Sequence, residues 1–136
     1  MTVIPVLRHE ADVEFARIGG GGFRILSAMD AACLVIGEDL WLTSGTDSHS
    51  TGQHPLGNAY DLRTKTLDVP TIIRVKSLLE TRLGARFTVL YETPTEPRDH
   101  MLRRIATINP HATGEHLHAQ VRKGTTYPPA DGVLEV

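Results

Sequence analysis

The chain has 136 residues, of which 40% are hydrophobic and 22% are charged, and its formal net charge is −2. These values are typical of a globular protein that buries a core of its own, so we expect one domain over residues 1–136. The small net charge and the three Phe, three Tyr and one Trp provide neither a strong field nor a stacking platform, so no nucleic-acid partner is expected.

The first residues contain no basic segment followed by a long apolar run, and no long apolar stretch occurs elsewhere. We therefore expect no signal peptide and no membrane span, and a protein that is made in the cytoplasm. If its substrate lies outside the cell membrane, another component must deliver it. The one cysteine, Cys33, lies in an apolar run and is predicted to be a buried core residue.

The spacing of apolar residues predicts an α+β fold, in which helices flank a small antiparallel sheet. Residues 1–22 are expected to form an N-terminal arm that ends in a glycine run at 19–22, which is predicted to be a hinge or the lead-in to a helix. The predicted elements that follow are a helix over 23–36, a strand over 40–43, a strand over 58–62, a helix over 71–83, a strand over 86–92, a short helix over 98–107 and a strand over 116–122. Residues 123–136 are predicted to form an irregular tail.

The segment from His54 to Asp61 has residues that suit a metal site. Gly57 can allow the chain to turn between the two potential ligands. On the predicted strand, Ala59 shares a face with Asp61 and leaves room for an ion beside the carboxylate. Taken alone, His54 and Asp61 would be interpreted as surface residues.

The segment from Glu115 to His118 supplies a second histidine pair. His116 and His118 are two residues apart on a predicted strand, so their imidazoles face the same side. Two imidazoles and one carboxylate with an open fourth position are the ligands of a catalytic zinc rather than a structural one. Glu115 beside them is suited to take a proton from water at the metal.

Together these segments resemble the zinc peptidases of the D-alanyl-D-alanine carboxypeptidase and L-alanyl-D-glutamate endopeptidase family, which cut peptidoglycan stem peptides and share their fold with the Hedgehog signalling domain. The resemblance extends over residues 40–121. The residues that match the family pattern are Ser44, Gly45, His54, Gly57, Ala59, Asp61, Glu115 and His118. It implies a Hedgehog/DD-peptidase-like fold, zinc held by His54, Asp61 and His118, and Glu115 as the general base.

Strand alternation and the family resemblance indicate different groups next to the water that the metal would bind. Strand alternation favours His116, because it faces the same side as His118, whereas the resemblance favours Glu115. Gly114 could let the backbone bend and bring the carboxylate in. The hypothesis that follows gives Glu115 the role of general base and His116 that of a donor to the tetrahedral oxyanion.

The residues expected to bind the substrate differ from the family pattern. The family often has an arginine after Ser-Gly, where this chain has Thr46 and Asp47, and an aromatic residue in place of Leu117. A strict D-Ala-D-Ala carboxypeptidase, which must hold a free carboxylate, is therefore less expected than an endopeptidase. The residues that could replace the arginine are Arg24, Arg63 and Arg98. The predicted substrate-binding residues are Ser44, His49 and Arg63.

The sequence thus predicts a zinc metallopeptidase whose partner is a peptidoglycan peptide and which acts on the cell wall once delivered. A short chain of this kind suits an endolysin-like phage enzyme or a component of a larger assembly. The alternative is a non-catalytic metal-binding interaction domain on the same fold, which Asp47 favours and Glu115 opposes. A third interpretation is a soluble α+β domain with unrelated histidines.

Overall fold

A computed structural model describes residues 3–46 and 52–125, which form a mixed α/β arrangement of three helices and a six-stranded sheet. The elements in chain order are β1 (Leu7–His9), α1 (Gly20–Ile36), β2 (Leu40–Ser44), β3 (Ala59–Arg63), α2 (Val69–Leu83), β4 (Phe87–Thr93), α3 (His100–Arg103), β5 (Ala106–Ile108) and β6 (His116–Val121). The order of the strands in the sheet is β1-β2-β3-β6-β4-β5. Each of the four strands predicted from the sequence is present to within one residue at its ends.

The sheet is larger than predicted and mixed rather than antiparallel. Its four inner strands are antiparallel, but β1 runs parallel to β2 at one edge and β5 runs parallel to β4 at the other. The prediction missed both edge strands because three residues are too few to show an alternating pattern. β1 lies in the predicted N-terminal arm. β5 begins inside the helix predicted over 98–107, of which only α3 forms.

The two long helices cover one face of the sheet. Alternate residues of β3 and β6, including Tyr60, Leu62 and Leu117, are fully buried in the same hydrophobic cluster as the inner sides of α1 and α2. Cys33 belongs to this cluster, as predicted. The residues between them on β3 and β6 point to the opposite face, which carries the polar side chains. These are Asp61, Arg63, His116, His118 and Gln120.

The helix predicted over 71–83 is confirmed as α2 and begins two residues earlier. Asp68 caps it by accepting a hydrogen bond from the Thr71 backbone N–H at 2.9 Å, and Pro70 lies in its first turn. None of the helices within residues 3–46 and 52–125 has the length and hydropathy to cross a lipid bilayer.

The glycine run forms the first turn of α1, and three of its residues are buried there. A Cβ on Gly22 would clash with the carbonyl oxygen of Gly57, so only glycine allows the helix to pack so closely against the turn that follows His54. The Asn58 side chain accepts a hydrogen bond from the Gly22 N–H at 3.1 Å. The run therefore fixes the start of α1 against that turn.

Candidate metal centre

Strand pairing brings Asp61 and His118 together. They are direct partners in the antiparallel register of β3 and β6, and both point to the face away from the helices. His118 Nδ1 is hydrogen-bonded to Asp61 Oδ1 at 2.7 Å, and His118 Nε2 to Gln120 Oε1 at 2.7 Å. Both side chains are buried, so this contact is shielded from solvent.

A tight turn carries His54 to the same place. The Gly57 N–H donates to the His54 carbonyl at 2.9 Å, and Gly57 has a φ of 71°, a conformation that favours glycine. The turn predicted at Gly57 is thereby confirmed. His54 is buried, and its Nε2 lies 3.6 Å from Asp61 Oδ2.

The backbone of Gly45 orients the His54 ring. The His54 Nδ1–H donates to the Gly45 carbonyl at 2.9 Å, which directs Nε2 towards Asp61. Such a hydrogen bond from the second nitrogen is the usual support of a metal-ligating histidine. A Cβ on Gly45 would clash with the Glu14 carbonyl oxygen, so this position requires glycine. Gly45, which belongs to the sequence motif, is therefore a residue that positions His54, a role that the motif alone did not reveal.

The three predicted ligands converge. The potential ligand atoms of His54, Asp61 and His118 all lie within 4.8 Å of one another. Two imidazole nitrogens and one carboxylate oxygen suit zinc and related divalent transition metals, and leave a coordination position for water or substrate. These residues could therefore hold a metal ion.

His116 and Glu92 form a second group beside the first. They are direct partners in the register of β4 and β6, and His116 Nε2 lies 3.0 Å from Glu92 Oε1. The His116 Nδ1–H donates to the Gly114 carbonyl at 3.0 Å. With His118, these two residues again place potential ligand atoms within 4.8 Å of one another. Glu92 is not evident as a potential ligand from the sequence, because the pairing of β4 with β6 is not visible there.

The charges of the cluster stabilise one another. Burial alone would raise the pKa of Asp61, but the hydrogen bond from His118 and the charges of the histidines lower it. Burial alone would lower the pKa of His118 and of His116, but hydrogen bonds and charges from Asp61 and Glu92 raise both. Metal binding at these side chains must therefore displace protons from the imidazoles.

Glu115 lies at the border of the groove, but its carboxylate is not among either group of ligand atoms. The Tyr91 hydroxyl donates to Glu115 Oε2 at 2.7 Å, and Arg98 Nε lies 3.1 Å from both carboxylate oxygens. Arg98 also donates to the Leu67 carbonyl at 2.8 Å. The role of Glu115 as general base stays a prediction, whereas the alternation that places His116 on the same face as His118 is confirmed.

The potential ligands lie in a groove of about 750 Å³, which also contains two of the predicted substrate-binding residues. Ser44 lines it as the register partner of Asp61 on β2. Arg63 lines it as well, and its guanidinium forms a salt bridge with the Glu10 carboxylate at 2.5 Å. The third predicted residue, His49, lies outside the described residues, as does Asp47.

The other two arginines considered as replacements for the family arginine do not line the groove. Arg24 lies over the ring of Phe87, at 5.5 Å from its centroid, and Arg98 holds Glu115. The Thr46 side chain is also hydrogen-bonded to the backbone, because its hydroxyl donates to the Glu14 carbonyl and accepts from the Ala16 N–H. Of the three arginines, Arg63 alone lines the groove.

Comparisons of the chain with models of protein families, with curated proteins and with solved structures find no match. The functional interpretation therefore rests on the geometry of the site and on the sequence motifs that it contains.

Proposed function

We propose that the chain is a zinc-dependent peptidase with a Hedgehog/DD-peptidase-like fold, which hydrolyses amide bonds in peptidoglycan stem peptides. The observation that carries the proposal is the convergence of His54, Asp61 and His118, two imidazoles and a carboxylate, within a groove. Three protein ligands suit a catalytic ion, since they leave room for water and substrate.

When bound, zinc supplies a positive charge that polarises the scissile carbonyl and lowers the pKa of water at the site to about 7. His116 lies on the same face as the ligands, and its Nε2–H would donate a hydrogen bond to the oxygen that becomes negatively charged, in place of its contact with Glu92. Ser44 and Arg63 contact the peptide along the groove.

Glu115 is the proposed proton acceptor, as the sequence predicts. To act, its carboxylate must turn from Tyr91 and Arg98 towards the groove that it borders. It would take the proton from water and later pass it to the leaving amine. The hydrogen bonds to Tyr91 and Arg98 would then hold the side chain when no substrate is present.

The groove supports an endopeptidase rather than a carboxypeptidase. Thr46 and Asp47 stand where the family often has an arginine after Ser-Gly, and the Thr46 hydroxyl is hydrogen-bonded to the backbone of Glu14 and Ala16. Arg63, which does line the groove, is paired with Glu10. Neither position therefore offers a dedicated cation for a terminal carboxylate, and the other cation that lines the groove among the described residues is Lys65, which has no counterpart in the family pattern. A phage enzyme, or a component of a larger assembly that delivers it to the cell wall, is the proposed context.

One observation favours a second candidate, a non-catalytic metal-binding interaction domain on the same fold. The Glu115 carboxylate is held by Tyr91 and Arg98 instead of facing the metal ligands. In such a domain the metal would order the His54 turn, and no proton acceptor would be needed.

Digestion of purified muropeptides separates the two candidates. The zinc-loaded chain is incubated with stem peptides, and the products are identified by mass spectrometry. We expect cleavage within the peptide that disappears on chelation and in Asp61→Asn, and returns when zinc is added back to the wild type. A chain that holds zinc and leaves all stem peptides intact would support the interaction domain instead.

A further inference from the structure

Asp61 lies between two histidines that are oriented in the same way. His54 Nε2 is 3.6 Å from one of its oxygens, Oδ2, and His116 Nε2 is 3.8 Å from the other, Oδ1. Each imidazole donates its Nδ1–H to a backbone carbonyl, that of Gly45 or of Gly114. This hydrogen bond is typical of metal-ligating histidines, so the Nε2 of His116 is oriented for metal binding in the same way as that of His54.

Glu92 completes the arrangement around His116. Its Oε1 lies 3.0 Å from His116 Nε2, and its Oε2 accepts a hydrogen bond from the Asn109 amide at 3.4 Å. An imidazole nitrogen and a carboxylate at this distance share either a proton or a metal ion. A carboxylate that is itself held by a hydrogen bond is the usual form of a metal ligand. Glu92 and His116 can therefore act together as ligands.

The ligand atoms suffice for two ions only if Asp61 is shared. The first ion takes His54, His118 and one oxygen of Asp61. A single imidazole nitrogen of His118 can serve one ion at a time, so the atoms left for a second ion are those of His116, Glu92 and the other oxygen of Asp61. We propose that Asp61 bridges two divalent transition-metal ions, and that His116 and Glu92 hold the second. The proposal rests on the proposed function for its first ion.

The distances agree with this arrangement. In a tetrahedral zinc site with bonds of about 2.0–2.1 Å, neighbouring ligand atoms are about 3.3 Å apart. The separations of 3.6, 3.8 and 3.0 Å around Asp61 and Glu92 lie on either side of that value. The 2.7 Å between His118 Nδ1 and Asp61 Oδ1 is shorter, the length of a hydrogen bond that a bound ion would replace. Two ions bridged in this way are typically about 3.5–4 Å apart and clamp one reacting group between them. The second ion would supply, next to the substrate carbonyl, the charge that His116 supplies in the one-ion site.

Zinc titration of the metal-free chain tests the bridge. The chain is dialysed against increasing zinc, and bound metal is measured by atomic emission. We expect two zinc ions per wild-type chain. Glu92→Gln should keep the first ion and bind the second more than about 100-fold less tightly, since loss of a ligand exceeds the loss of an outer partner. Asp12→Asn removes a carboxylate that lines the same groove outside the cluster, and should keep both ions.

His116→Gln should lose the same ion as Glu92→Gln, and it carries the test if the first variant does not fold. Manganese loading adds a second measurement, because adjacent ions give a spin-coupled electron paramagnetic resonance spectrum in wild type and an uncoupled one in Glu92→Gln. One zinc per wild-type chain at saturation would overturn the bridge and leave the peptidase proposal intact. Two ions in Glu92→Gln, or the loss of both from a folded variant, would also overturn it. A wild type that binds no zinc would remove both proposals.

Discussion

The imidazole of His118 lies 2.7 Å from the carboxylate of Asp61, although 57 residues separate them in the chain. The antiparallel pairing of β3 with β6 fixes this contact, and the buried position of both residues protects it from water. His54 differs, because it comes from a turn rather than from a strand. Two ligands are thus built into the sheet, and the third depends on how the turn packs.

The stability of the chain should depend on pH differently with and without bound zinc. The pKa values of His116 and His118 are raised above 6.5 in the folded chain. A raised histidine pKa stabilises the fold below the unfolded value, and that contribution is lost as pH rises through the folded value. The melting temperature of the chelated protein should therefore fall as pH rises from about 6 to about 8.

Zinc binding needs deprotonated imidazoles, so the increase in melting temperature that zinc causes should grow over the same pH range. Thermal melts with chelator and with excess zinc, at matched ionic strength, measure both trends. Parallel curves in the two conditions would show that zinc does not bind at these histidines.

Gly57→Ala should destabilise the chain and displace His54. Gly57 has a φ of 71°, and a Cβ there would also clash with the Arg17 carbonyl oxygen. Gly37 is the matched control, because its φ is 76° but a Cβ would meet no atom within 4 Å. The conformation alone costs about 1–2 kcal/mol in either variant, and the clash should add about 1–3 kcal/mol to Gly57→Ala only.

Denaturant unfolding of Gly57→Ala and Gly37→Ala measures the difference in the free energy of unfolding, and zinc titration of both measures the effect on the site. Equal losses of stability with equal zinc affinity would mean that the turn does not position the ligand.

Glu115→Gln tests the proton acceptor. If its carboxylate takes the proton, the variant should retain zinc and lose about 10²–10⁴-fold in turnover. His116→Ala should lose less, because a hydrogen-bond donor to the oxyanion is only one of several stabilising groups. Rates on a cleaved stem peptide and metal content are measured for both variants.

If Glu115→Gln is nearly normal and His116→Ala is inactive, the roles are reversed. Glu115 would then have a structural role, since its contacts with Tyr91 and Arg98 connect the start of β6 to β4 and to the loop that follows β4.

The inner part of the fold could be predicted because its segments are long enough to show a period. The buried residues of α2 recur every three or four positions, and those of β4 alternate with partly buried ones, as expected for a helix and a strand. The edge strands could not, since three residues at Leu7–His9 or Ala106–Ile108 have no period of their own and are extended because a neighbouring strand pairs with them. The glycine run was ambiguous because its role depends on the close approach of Gly57.

The same distinction holds for the site. His54, Asp61 and His118 could be found from their motif, and the face shared by His116 and His118 followed from strand alternation. Glu92 could not be found, because its contact with His116 depends on which strands are neighbours.

The central claim is that His54, Asp61 and His118 hold a metal ion, and the metal content of His54→Ala tests it most directly. Wild type and variant are loaded with zinc, dialysed against metal-free buffer and analysed by atomic emission. His111→Ala is the control, because His111 lines the same groove but belongs to neither group of potential ligands. We expect the wild type and His111→Ala to retain a tightly bound ion and His54→Ala to lose it while remaining folded. Equal zinc in His54→Ala and the wild type would contradict the assignment of this site.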